Sequence, residues 1–132
     1  MKKAKLIIRI LFGLMLVIFG LNKFLQFMPM PPLPEAASQF MAALVQSGYL
    51  MVVVAVVEVA VGILLLINKY QAFALVIIFP IMLNAFLFHL FLDIAGIVGA
   101  AMAITMNILL LYTNKGSYSN LLKIKKNEKN IN

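Results

Sequence analysis

Long apolar runs separated by short polar stretches dominate the pattern of this chain. The runs cover residues 6–28, 49–67, 72–92 and 94–113. Each has about the 20 residues that an α-helix needs to cross the roughly 30 Å hydrocarbon core of a bilayer. Hydrophobic residues make up 64% of the 132 residues and charged residues 11%, a share of apolar surface that a soluble domain of this size cannot bury. The pattern predicts an all-α integral membrane protein built as a four-helix bundle.

A different pattern follows the first run. Four of the residues between 29 and 34 are prolines, which lack an amide hydrogen and end the preceding helix. In residues 34–47, the apolar side chains of Ala37, Phe40 and Leu44 recur at steps of three and four. This spacing predicts a short amphipathic helix at the membrane surface between spans one and two. We therefore expect a transmembrane domain over residues 1–113 and a basic tail over residues 114–132.

The positive charges predict the orientation of the spans. All but one of the eleven Lys and Arg residues lie before the first span or early in it, in the turn after the second, or in the tail. In a chain with four spans these places share one side of the membrane. The positive-inside rule then puts both termini in the cytoplasm of a bacterial inner membrane. The net charge of +7 is thereby explained by topology and anionic lipid, so we expect a lipid bilayer and no nucleic acid as partner.

Small residues recur at helical spacing on three spans. In lipid, such residues let helix backbones approach closely, and polar side chains among them form hydrogen bonds across the seam. We expect these stripes to face inward and large residues such as Leu65 and Leu87 to face lipid. The predicted helix-packing residues are Gly13, Gly20, Gly62, Gly96, Ala100, Ala103 and Asn107.

Glu58 lies in the middle of the second apolar run. A charged side chain at that depth costs about 2.5–3.5 kcal/mol on insertion scales, so such residues are paired or functional. At a rise of 1.5 Å per residue, Lys23 and His89 fall about 5 Å deep, Asn84 about 12 Å and Glu58 about 15 Å, all from the same side of the bilayer. We expect these four residues to line a polar pocket that opens outward.

Each of these residues also has a purely structural interpretation. Glu58 can fix helix packing through an ion pair, and Lys23 can extend to the interface. Asn84 can repair the helix bend at Pro80, and His89 can bond a backbone carbonyl or Asp93. The sequence leaves both interpretations open.

Composition restricts the chemistry of the site. The chain has no cysteine and one histidine, so thiolate sites and multi-histidine metal sites are not expected. We predict no metal site, identify no catalytic residue and find no cofactor motif.

The residues that interrupt the spans resemble the DoxX family of small bacterial membrane proteins. The resemblance rests on Arg9–Leu14, Gly20–Phe24, Glu58 with Gly62, and Asn84 with Phe88 and His89. It also includes the proline-rich stretch and the Gly48-Tyr49-Leu50 sequence after it. It implies a four-helix inner-membrane protein. The family takes its name from a thiosulfate:quinone oxidoreductase, and some members are associated with membrane redox complexes. Related animal proteins act as assembly factors.

Three functions follow for testing. The first is a pocket that binds a small ligand such as a quinone or supports a membrane redox complex, with a redox protein or a second copy as partner. The second is a non-enzymatic scaffold or assembly factor. The third, a small transporter or proton pathway, is disfavoured because no inverted pair of broken helices is visible. Whether the chain catalyses a reaction is left open.

Overall fold

The computed structural model describes residues 2–122, with the backbone alone for Leu122, and this part of the chain is helical without strands. Residues 123–132, most of the predicted basic tail, lie outside it. The elements in chain order are α1 (Lys2–Leu25), α2 (Glu35–Gln46), α3 (Leu50–Leu66), α4 (Gln71–Phe91), a 3-10 turn (Ile94–Gly96), α5 (Ile97–Thr113) and α6 (Lys115–Leu122).

Three segments are long and apolar enough to cross a membrane: α1, α4, and the 3-10 turn together with α5. The pair α2 and α3 also meets this criterion, but its two helices are bent by 88° relative to each other. The part of the chain described thus has three candidate spans, or four if the bent pair counts as one. The predicted all-α membrane bundle with an extra short helix after span one is confirmed.

Side-chain contacts define how the helices run. Arg9 meets Leu65 and Lys23 meets Glu58, so residue numbers rise along α1 as they fall along α3, and the two helices are antiparallel. Helix α4 packs on both α3 and α5, and α5 returns to α1. This closes a bundle around a core that includes Phe12, Leu75 and Ile78. We call the end near Leu25 and Leu50 the α2 end, and the end near Lys2 and Leu66 the α6 end.

Helix α2 crosses the α2 end of the bundle. Its predicted apolar stripe faces the protein, since Ala37 is fully buried and the Phe40 ring lies 5.7 Å from the ring of Phe88 in α4. Gly48 takes the left-handed conformation, with φ of 81°, which only glycine adopts without cost. The Ser47 hydroxyl accepts a hydrogen bond from the Leu50 amide at 3.1 Å. This turn produces the sharp bend between α2 and α3.

The structure corrects several expected positions. Helix α1 starts at Lys2 and stops at Leu25 instead of spanning residues 6–28, because Gln26 has a positive φ of 48° and the prolines follow. Leu65, expected to face lipid, is fully buried, whereas Leu87 is exposed as expected. The beginning of the tail is helical, and the Tyr118 hydroxyl of α6 donates a 2.7 Å hydrogen bond to the Ala72 carbonyl of α4.

Candidate functional site

Glycines hold α1 and α3 close together along their whole seam. A methyl group added at Gly62 would lie 2.8 Å from the Gly13 carbonyl oxygen, and one added at Gly20 would lie 2.7 Å from a Val59 methyl. Such distances mean that the two backbones approach as closely as hydrogen side chains allow. The seam therefore sets the separation at which polar side chains on α1 can reach α3.

Lys23 and Glu58 meet across this seam at the α2 end. The Lys23 Nζ donates to Glu58 Oε2 at 2.7 Å, and their side chains are 24% and 7% exposed. Glu58 lies about 12 Å along α3 from its first residue, whereas Lys23 is in the last turn of α1. The lysine side chain thus extends toward the middle of the bundle and neutralises the carboxylate there.

The ion pair leaves hydrogen-bonding groups free. An ammonium group has three N–H donors and a carboxylate has two acceptor oxygens. Within residues 2–122, a single hydrogen bond joins Lys23 to Glu58, and Oε1 has no partner. The ammonium of the partly exposed Lys23 side chain and the second carboxylate oxygen can together serve a ligand that carries both an acceptor and a donor.

His89 belongs to a second polar pair at the same end. Its Nδ1 lies 3.2 Å from both the carboxylate Oδ2 and the main-chain oxygen of Asp93. Both partners are acceptors, so the ring proton belongs on Nδ1. The ring packs directly against Gly96, where any added methyl would collide with it. In the part of the chain described, no hydrogen bond connects this pair to Lys23 or Glu58.

Asn84 is placed differently from the other three predicted site residues. It is exposed on the outside of the bundle, and its side chain has no hydrogen bond within residues 2–122. The structure therefore brings Lys23 and Glu58 together, sets His89 with Asp93 on a neighbouring helix, and leaves Asn84 outside this group.

The remaining packing residues lie on α5, and one of them contacts α4. Asn107 is fully buried and its Nδ2 donates to the Leu75 carbonyl at 3.2 Å, while its Oδ1 has no partner among the residues described. Ala103 is buried, and Ala100 is half-buried.

Two polar residues that the sequence placed in span one without a site role are structurally important. Arg9 is buried, and its guanidinium donates to the Leu65 carbonyl in the last turn of α3, where a cation is favoured by the helix dipole. Asn22 is buried, and its Oδ1 accepts a hydrogen bond from the Met28 amide at 2.9 Å. This bond holds the start of the proline-rich loop against α1. Arg9 lies four residues before Gly13, on the same helix face as Gly13 and Gly20, and this spacing was the sequence signal that could have identified it.

The helix packing explains why a bilayer-embedded chain keeps these residues. Glycines bring two helices together, and Lys23 and Glu58 neutralise each other where they meet. Within residues 2–122, no group of three His, Cys, Asp or Glu side chains comes together as a metal site would require. The arrangement leaves N–H donors and one carboxylate oxygen without protein partners in the part of the chain described.

Comparison with known proteins identifies the family. The family model for DoxX matches residues 4–91, which covers all but the first two residues of α1, the whole of α2, α3 and α4, and both Lys23 and Glu58. Searches of curated proteins and of solved structures each returned no match. Since the family match spans most of the chain and the helices are those of a membrane protein, this chain belongs to the DoxX family.

Proposed function

We propose that the Lys23–Glu58 pair binds the polar headgroup of a small lipophilic ligand, with a quinone as the ligand class. The observation that carries this proposal is the 2.7 Å ion pair, in which the Glu58 side chain is 7% exposed and the Lys23 side chain is 24% exposed. An ionisable residue inside a membrane bundle is by default a hypothesis of function, because it is costly to keep there.

The chemistry of a quinone fits the free groups of this pair. A quinone carbonyl accepts hydrogen bonds, and the Lys23 ammonium has N–H donors to spare. The hydroxyl of a quinol donates, and the Glu58 Oε1 atom is an acceptor without a partner in the part of the chain described. The apolar surfaces of the surrounding helices suit a prenyl tail. In this proposal α2 covers the site, His89 lies at its edge, and the chain serves a membrane redox complex.

We place the α6 end in the cytoplasm of a bacterial inner membrane. Lys2, Lys3, Lys5, Lys69 and Lys115 all lie at that end, and the positive-inside rule supports this orientation. Reporter fusions after Thr113 and at Ser47 should report opposite sides, and a reporter at Ser47 that reads as cytoplasmic would reverse the assignment.

Mass spectrometry of the purified protein tests the ligand. The wild-type chain, extracted in mild detergent, should retain a quinone that Glu58→Gln loses. Glu35→Gln is the matched control, because Glu35 is exposed on α2 and its change removes the same charge. Equal retention by all three proteins, or retention by none, would contradict the proposal.

A non-enzymatic scaffold is the second candidate function. Lys23 and Glu58 also bridge the glycine seam, and a bridge that only holds α1 to α3 would be satisfied by their mutual charge. In that case Glu58→Gln should lower thermal stability without removing any bound ligand. A protein partner that co-purifies in stoichiometric amount with wild type and Glu58→Gln alike would favour this function.

A further inference from the structure

An unpaired polar side chain faces outward at membrane depth on α4. Asn84 is exposed, and its amide makes no hydrogen bond within residues 2–122. It lies about 10 Å from the end of α4 at Phe91, well inside a hydrocarbon layer about 30 Å thick. There is no water at this depth to satisfy the amide, and an unsatisfied polar group in lipid costs several kcal/mol.

Asn84 lies on a regular line of exposed residues. Steps of four and three residues along α4 connect side chains that all point away from the bundle core. These steps are the spacing of a and d positions in a two-stranded coiled coil. Membrane helices also pair with this geometry. The line, which we call the α4 seam, consists of Phe73, Ile77, Pro80, Asn84, Leu87 and Phe91.

A second copy of the same chain fits this seam best. Copies inserted in the same orientation are related by a two-fold axis along the membrane normal, so each residue meets its own counterpart at equal depth. An asparagine amide has both donors and an acceptor, and two of them facing each other can exchange hydrogen bonds. A single asparagine at an a position is known to fix the register of paired helices.

We propose that the α4 seam is a homodimer interface in which the Asn84 amides of two copies hydrogen-bond to each other. Another membrane protein would have to present its own polar group at the same depth, whereas a second copy always does. The contact is independent of the Lys23–Glu58 site, which lies on α1 and α3.

Single cysteines test the interface directly, because the chain has none of its own. Leu87→Cys places a thiol one helical turn from Asn84 on the seam, and Val98→Cys places one at similar depth at an exposed position of α5. Oxidation in native membranes should give a disulfide-linked dimer for Leu87→Cys and little for Val98→Cys.

The role of Asn84 is tested by adding Asn84→Leu to Leu87→Cys. Interhelical hydrogen bonds in membranes contribute about 0.6–2 kcal/mol, so the dimer should weaken roughly three- to thirty-fold. Asn84 is exposed, so the variant should fold, and its monomer profile in size-exclusion chromatography checks this. Equal crosslinking at the two cysteines, or crosslinking at Leu87→Cys that Asn84→Leu leaves unchanged, would overturn the proposal.

Discussion

The glycine seam between α1 and α3 makes a quantitative prediction for Gly62→Ala. The added methyl would lie 2.7 Å from Val17 Cγ2, 2.8 Å from the Gly13 carbonyl oxygen and 3.0 Å from the Val17 amide nitrogen. Ordinary contacts between such atoms are about 3.5 Å or longer. Two of the three neighbours are backbone atoms, so no rotamer change relieves the overlap and α1 as a whole has to move away.

The matched control is Gly99→Ala in α5. A methyl at Gly99 meets no atom within 4 Å, so this change carries the helix-propensity gain, about 1 kcal/mol, without overlap. The same gain applies to Gly62→Ala and cancels in the comparison. The remaining difference is the cost of overpacking, about 1–3 kcal/mol.

Unfolding by a graded denaturing detergent, followed by circular dichroism, measures this difference. We expect Gly62→Ala to unfold at a lower denaturant fraction than wild type, and Gly99→Ala to unfold at the same or a higher fraction. The free energy of unfolding should differ between the two variants by about 1–3 kcal/mol. If the two variants unfold together, α1 and α3 are not in the close contact described here.

Two further predictions concern the α6 end. Arg9→Met removes the donor to the Leu65 carbonyl and should lower the free energy of unfolding by about 1–3 kcal/mol. The same detergent titration measures this change, and unchanged stability would show that this hydrogen bond contributes nothing. Burial raises the pKa of the Tyr118 hydroxyl above its usual 10.0, so the contribution of Tyr118 to docking α6 should be intact below pH 10 and lost as pH rises through the raised value. The protection of α6 amides from hydrogen exchange, corrected for the base-catalysed intrinsic rate, should therefore fall at high pH in wild type, and an equal fall in Tyr118→Phe would rule out this cause.

The sequence was sufficient to predict the membrane helices and to name Lys23 and Glu58 as members of one polar group. Apolar runs of membrane length identify helices in any tertiary arrangement, because lipid leaves the backbone no alternative. The sequence predicted a partner for Glu58 because a lone carboxylate at that depth is costly. Lys23 was a candidate because it lies on the small-residue face of span one and has a long side chain. The structure pairs them at 2.7 Å.

Other features could not be inferred from spacing alone. Asn84 and Glu58 are at comparable depth, but depth does not fix the direction in which a residue points around its helix axis. That direction depends on which faces of α4 pack against α3 and α5, and this packing leaves Asn84 on the outside of the bundle. The role of Arg9 was not predicted, because its hydrogen-bond partner, the Leu65 carbonyl, is a backbone group that no sequence pattern shows.

The central proposal is that Lys23 and Glu58 form a ligand site, and a charge swap tests it most directly. The double variant Lys23→Glu, Glu58→Lys keeps an ion pair across the seam but moves the ammonium from the accessible position to the buried one. Titration with a short-chain benzoquinone should show binding to the wild-type chain and none to the swapped chain, while the swap remains folded and more stable than Glu58→Gln. Absence of binding to wild type, or equal binding to the swapped chain, would contradict the account.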